Sequence, residues 1–292
     1  MSCIRLFVAI VTLAALMGCI GLSQIRTDEA LLVERYDSKG KELAMMICGG
    51  CHYDKRTDAY SGKRLDTIPW YVGTIYSANL TKSNSEVQNY SKTEYRNLIL
   101  QGVDNEGNHI AFMGSPHIRE GDLEKLLNYF FSDDYLLRSV PVEPYQTKFT
   151  LAAKLALWWQ RRSGRRHDLG SAFATEAPAA MAEDGQYLVT LLECYVCHSG
   201  SLYGINRQFP EKSKNYLRGG TNFGLYKGDS VTSTDLTVLS SSGWSVAQFG
   251  AALREGITRD GSRLRPPMPT YSNLSDSEVE NLYEYLSSLE SR

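Results

Sequence analysis

Ile47-Cys48-Gly49-Gly50-Cys51-His52 places two cysteines three positions apart with a histidine directly after the second. The same pattern returns in Cys194-Tyr195-Val196-Cys197-His198. A zinc site, a redox-active dithiol and an attachment point for a prosthetic group all use paired cysteines, so the surrounding chain has to decide between them. The chain has 292 residues, 42% of them apolar, enough for one large or two ordinary domains. Its net charge of −2 gives no electrostatic argument for nucleic-acid binding.

The N-terminus narrows the setting. Arg5 precedes a continuous apolar run from Leu6 to Met17, followed by Gly18-Cys19. A short basic start, an apolar stretch and a small residue describe an export signal. A cysteine after that small residue resembles a bacterial lipobox. In proteins with that signal, the segment equivalent to 1–18 is removed and the cysteine, here Cys19, carries lipid. The competing reading is an uncleaved apolar anchor running to about Ile25, short for a span that needs about 20 apolar residues. Both readings give an exported, membrane-tethered protein facing the periplasm or cell exterior, with residues 19–35 as the tether.

The chain has six cysteines. With Cys3 in the leader and Cys19 lipidated, only the two Cys-x-x-Cys-His motifs remain, and none is left for another disulfide. Four unprotected thiols are a liability in an oxidising compartment. A zinc site usually draws two nearby pairs together, whereas here each distant pair has its own histidine. A thioredoxin-like dithiol calls for one pair in a βαβ setting, which is not apparent. Covalent haem c explains every feature. Cys48 with Cys51, and Cys194 with Cys197, would each hold one ring, and His52 and His198 would be the proximal iron ligands. Two haems are therefore expected.

Methionine is the usual sixth ligand in electron-transfer cytochromes. Met45, Met46 and Met181 precede a motif and read as core-filling residues. Met113 and Met268 follow one motif each. Met268 lies in Pro266-Pro267-Met268-Pro269, a stiff loop poor in backbone donors. Met113 is flanked by His109 and His117, and His117 is the alternative ligand.

The repeat extends further. Tyr90 to Gly102 aligns with Trp244 to Gly256 at a constant offset. Ser91 with Glu94, Ser245 with Gln248 and Ser275 with Glu278 have the spacing of capping boxes. Gly102 and Gly256 stand where helices should stop. Leu123, Leu126, Leu127 and Phe130 recur at helical spacing, as do Val279, Leu282, Tyr283 and Leu286. Amphipathic runs, Ser38 to Ile47 and Asp184 to Glu193, precede the motifs. Each half thus reads as helix, Cys-x-x-Cys-His, long loop, helix, Met loop, helix.

Each half resembles a cytochrome c domain. The pair resembles the cytochrome c subunits of bacterial membrane-bound alcohol, aldehyde and gluconate dehydrogenases. The resemblance rests on the haem motifs, on Gly73-Thr-Ile-Tyr-Ser-Ala-Asn-Leu-Thr81 and Ser233-Thr-Asp-Leu-Thr237, on Gln186-Tyr-Leu-Val189, and on Pro-Met-Pro. It covers about Tyr36 to Leu289. It implies an all-α fold of two tandem cytochrome c domains, 36–134 and 181–292, each wrapped around a haem. Those subunits commonly carry three haems and Met-Pro at the axial loop; here there are two motifs, and the first half has Met113-Gly114. The implied function is electron transfer from a dehydrogenase to an oxidase or another cytochrome, with no catalytic residue. A dihaem peroxidase with one open iron position is the enzymatic alternative, and an anchoring subunit of a dehydrogenase complex is a third.

Residues 135–180 have no counterpart in the repeat. Within them Phe149 to Arg162 is apolar, carries Trp158 and Trp159, and runs into Arg161, Arg162, Arg165 and Arg166. The segment suits a helix packed between the two domains, which is the expectation. It also suits a membrane-interface helix, or a docking patch for an acidic redox partner.

Overall fold

The structure is a computed structural model that describes residues 38–66, 68, 71–84, 87, 89–108, 110, 113–115, 117–142, 146–162, 184–201, 204–224 and 229–289. Cys3, Cys19, Met181 and the leader and tether segments lie outside the described residues. Among the described residues no helix is long and apolar enough to cross a membrane.

The first half opens with helix α1 (38–47), which runs into the short helix α2 (Gly49–His52). A long loop leads to α3 (Lys92–Gln101), the Met113 loop and α4 (Glu120–Phe130). The connector contributes α5 (Leu151–Arg162). The second half repeats the order with α6 (Asp184–Leu191), α7 (Cys194–His198), α8 (Val246–Glu255) and α9 (Asp276–Ser288). All three expected capping boxes form, before α3, α8 and α9. Gly102 (φ 62°) and Gly256 (φ 70°) end α3 and α8 in the left-handed conformation, which glycine adopts without steric cost.

The described residues are mostly helical, with two small antiparallel strand pairs among them that the sequence did not announce. Strand β1 (Gly73–Thr74) pairs with β2 (Lys148–Phe149), and β3 (Asn222–Gly224) with β4 (Ser230–Thr232). Pairs of two or three residues are too short to show period-two alternation.

The two halves are built on the same helix crossing. A Cβ added to Gly40 on α1 would lie 2.3 Å from the Lys125 carbonyl oxygen of α4. One added to Gly185 on α6 would lie 2.1 Å from the Asn281 carbonyl oxygen of α9. Only glycine lets the backbones approach so closely. Leu43, Leu123, Leu126, Leu127, Tyr129 and Phe130 are buried around the first crossing. Leu188, Leu191, Val279, Leu282, Tyr285 and Leu286 are buried around the second. In the first half Tyr60, Tyr129 and Phe130 add edge-to-face pairs with ring centroids 5.6–6.2 Å apart.

The buried apolar residues of both halves form one continuous core. Polar contacts follow the same seam. Lys39 of α1 pairs with Glu278 of α9 at 3.0 Å, and Arg119 with Asp184 at 2.7 Å. The Tyr187 hydroxyl donates to Asp122 (2.8 Å) and accepts from the Arg119 amide (3.3 Å). The Arg119 guanidinium lies 4.1 Å from the Tyr187 ring centre.

Part of the apolar surface of α5 faces outward. Leu151 is 74% exposed, Leu155 57% and Trp158 53%, so residues at i, i+4 and i+7 turn an apolar stripe outward. Met46 is buried and Met45 packs on Gly49, both as core-filling residues.

Gly185→Ala should destabilise the protein by roughly 3 kcal/mol, since the new methyl meets main chain that cannot yield. Gly121→Ala on α4, where an added Cβ meets nothing within 4 Å, should be neutral or stabilise by about 0.5–1 kcal/mol. Chemical denaturation measures both; equal effects would contradict the crossing geometry.

Candidate functional site

The α1–α4 crossing fixes the start of the first Cys-x-x-Cys-His motif, and the α6–α9 crossing the second. In the first half the helix continues into the motif, with the Cys48 amide donating to Ala44 O (2.8 Å) and the His52 amide to Cys48 O (2.8 Å). In the second half Glu193 takes a left-handed conformation (φ 54°) just before Cys194. The helix therefore ends at Leu191, two residues before the expected Glu193. A non-glycine residue there costs about 1 kcal/mol. Glu193 is held by an ion pair to Arg207 at 2.6 Å.

Both motif histidines are buried and oriented in the same way. His52 Nδ1 donates to the Ala78 carbonyl at 2.9 Å, and His198 Nδ1 to the Thr234 carbonyl at 2.8 Å. Because the acceptor is a carbonyl, Nδ1 carries the proton and Nε2 keeps its lone pair. Neither Nε2 makes a hydrogen bond among the described residues. Burial pushes both imidazoles below the usual histidine pKa; the carbonyl bond opposes this at both sites, and Lys63 adds to it at His52. A neutral ring with Nδ1–H on a carbonyl and Nε2 free is the metal-ligating form.

The carbonyls are held in place by matching turns. Asn79 Oδ1 accepts from the Thr81 amide (2.9 Å) and hydroxyl (2.7 Å). Asp235 Oδ1 accepts from the Thr237 amide (2.8 Å) and hydroxyl (2.7 Å). Gly62 (φ 74°) and Gly219 (φ 68°) lie against these same turns, and an added Cβ would meet Ser77 O at 2.4 Å and the Thr234 carbonyl carbon at 2.5 Å. The amides of Gly62 and Gly219 also donate to the carbonyls of His52 (2.9 Å) and His198 (2.6 Å). These four turn residues and two glycines were not singled out as site residues from the sequence. Their signal was the shared Asn-Leu-Thr and Asp-Leu-Thr stretch, whose meaning lies in where its main-chain oxygen points.

Cys48, Cys51, Cys194 and Cys197 form no disulfide with one another. Burial, reinforced by the neighbouring motif cysteine, pushes Cys48 and Cys194 up to about 12. Burial also raises Cys51 and Cys197. Among the described residues no three His, Cys, Asp or Glu side chains converge where they could hold a metal ion, as a zinc site would require.

Met113 and Met268 occupy equivalent frames. Ile110 N donates to Gly102 O, and Leu264 N to Gly256 O, both at 2.8 Å. Ser115 N donates to Ile99 O (2.6 Å), and Tyr271 N to Leu253 O (2.7 Å). Each methionine sits between its two bonds and turns back on the residue three before it, at 3.3 Å in both cases. Met268 packs on the core. His117, the alternative ligand, is buried and its Nε2 is 2.6 Å from the Arg207 carbonyl of the other half. His109 lies outside the described residues.

In each half two thiols one helical turn apart and a neutral imidazole on the same turn fit a covalently held haem, and the framed methionine has the chemistry of a sixth ligand.

No family model matches the chain. It is 35% identical over 112 residues to a nicotinate dehydrogenase subunit of Pseudomonas putida, covering 38% of this chain and 9% of that protein. It is 33% identical over 107 residues to the fructose dehydrogenase cytochrome subunit of Gluconobacter japonicus, covering 35% of this chain and 20% of that one. Over 121 residues it is 29% identical to the cytochrome c subunit of quinone alcohol dehydrogenase from Gluconobacter oxydans, covering 40% of this chain and 23% of that one. The chain thus spans less than a quarter of the length of these relatives. Over that part it is similar to cytochrome c subunits of dehydrogenases.

Asp235→Ala should lower stability by about 1 kcal/mol and loosen the Thr234 carbonyl, so that the His198 Nδ1 proton exchanges faster by NMR. Asp235→Asn, which keeps the acceptor that Asn79 supplies in the first half, should change neither. An unaffected His198 proton in Asp235→Ala would remove the turn from the site.

Proposed function

We propose that the chain is a dihaem c-type cytochrome that transfers electrons and catalyses no bond-breaking step. In this reading residues 36–134 and 181–292 are two cytochrome c domains. Cys48, Cys51, Cys194 and Cys197 hold the rings by thioether bonds, His52 and His198 are proximal ligands, and Met113 and Met268 are distal ligands. The observation that carries the reading is the duplicated frame: a histidine tied through Nδ1 to a turn carbonyl, and a methionine bracketed by two matching backbone bonds.

Bound haem supplies a one-electron couple whose potential thioether ligation raises. The chain's own part is positional. The carbonyls of Ala78 and Thr234 hold the imidazoles in one tautomer and one orientation. The buried shell of Leu, Tyr and Phe side chains would keep water from bound rings, which would also tune the couple.

Similarity to dehydrogenase cytochrome subunits supports a dehydrogenase as electron donor, with an oxidase or another cytochrome as acceptor. The leader reading supports export and a lipid on Cys19, which would hold the protein at a membrane face. Membership of a dehydrogenase complex is compatible with this role. The peroxidase alternative needs one iron without a methionine, and the equivalent placing of Met113 and Met268 favours electron transfer instead.

The oxidised protein should show the methionine–iron charge-transfer band at an intensity worth two haems. Met113→Ala and Met268→Ala should each remove half of it and lower the midpoint potential of one haem only. A band worth one haem that Met113→Ala leaves unchanged would contradict the assignment in the first half.

A further inference from the structure

The electron-transfer reading makes no use of the connector helix α5. Its apolar stripe of Leu151, Leu155 and Trp158 points outward, and the side chain of Lys154 is exposed beside it. The helix is fixed rather than trailing. The Thr150 amide donates to Val72 O (3.0 Å), and its hydroxyl donates to Tyr71 O (2.6 Å). The β1–β2 pair just before it fastens it further to the first half. Tyr71, 59% exposed, extends the apolar surface at this end.

Charge is as lopsided as polarity. From Pro144 to His167 there is no acidic residue, while Lys148, Lys154, Arg161, Arg162, Arg165 and Arg166 are basic. This stands in a chain whose net charge is −2. At 12 residues α5 extends about 18 Å, too short to span a bilayer. An outward apolar stripe with a tryptophan, in a stretch of sequence rich in basic residues and without an acid, suits a helix lying flat at an anionic lipid surface.

We infer that α5 is an interfacial membrane-binding helix that seats the first half on anionic lipid, independently of the N-terminal anchor. It rests on the proposed export of the chain to a membrane face. A lipid on Cys19 would by itself not fix which face of the protein meets the membrane. A second contact at α5 sets which face of the protein meets the membrane, and so which surface remains open to redox partners.

The test uses full-length holoprotein purified from membranes, with phosphatidylcholine vesicles, with or without phosphatidylglycerol, read by flotation and by hydrogen exchange. Amides of residues 151–162 should exchange about tenfold more slowly on phosphatidylglycerol vesicles than on phosphatidylcholine alone. Leu155→Gln/Trp158→Gln, which alters only exposed positions, should abolish the difference while leaving haem absorbance unchanged. Flotation on both vesicles with no added protection at α5 overturns the inference and leaves the N-terminal anchor standing. Flotation on phosphatidylglycerol vesicles alone, lost in the double variant, supports α5 and removes the anchor. Failure to float on either removes both.

Discussion

At Gly40 and at Gly185 one helix backbone lies directly on the carbonyl oxygens of another, with no room for a side chain between them. That contact brings the N-terminal helix of each half against its C-terminal helix and fixes where the Cys-x-x-Cys-His turn begins. The buried leucines and aromatics on α4 and α9 then have a surface to cover, and the long loops are pinned between the ends of the crossing. Hydrophobic burial is non-directional and would accept many arrangements. The glycine contact selects one, and it does so twice.

Main chain rather than side chains provides most of the site's order. Each motif histidine is aimed by a carbonyl oxygen, each carbonyl by an Asn or Asp turn, and each turn packs on a glycine with positive φ. A carbonyl in a closed turn has few ways to move, so the imidazole inherits its rigidity. The same economy holds each methionine, since two backbone bonds from the end of α3 or α8 set the length and direction of its loop. Asn79 and Asp235 differ in charge yet make the same two bonds, because the turn uses one oxygen that both residues possess.

Much of this was legible in the sequence where the signal was local. Capping boxes at Ser91, Ser245 and Ser275, and terminal glycines at 102 and 256, specify helix ends through hydrogen bonds within a few residues, and they form as read. The motif residues were legible because two thiols and an imidazole at that spacing have few uses. What depended on distant pairing was not legible. Nothing local marks Gly185 as facing Asn281, Tyr187 as bonding Asp122, or His117 as reaching Arg207. The helix 151–162 shows the same limit from the other side. Its apolar character was plain, but composition does not tell which residues turn outward. The early end of α6 has a similar cause, because the left-handed turn at Glu193 is supported by Arg207, fourteen positions away.

The central claim is that both Cys-x-x-Cys-His turns carry haem through thioether bonds. The most direct measurement is the haem content of the purified protein after denaturation in alkaline pyridine, combined with mass mapping of the peptides bearing Cys48–His52 and Cys194–His198. The account predicts two haems per chain that resist acid–acetone extraction, one on each peptide. Haem extracted by acid–acetone, or either peptide recovered with free thiols, would contradict it.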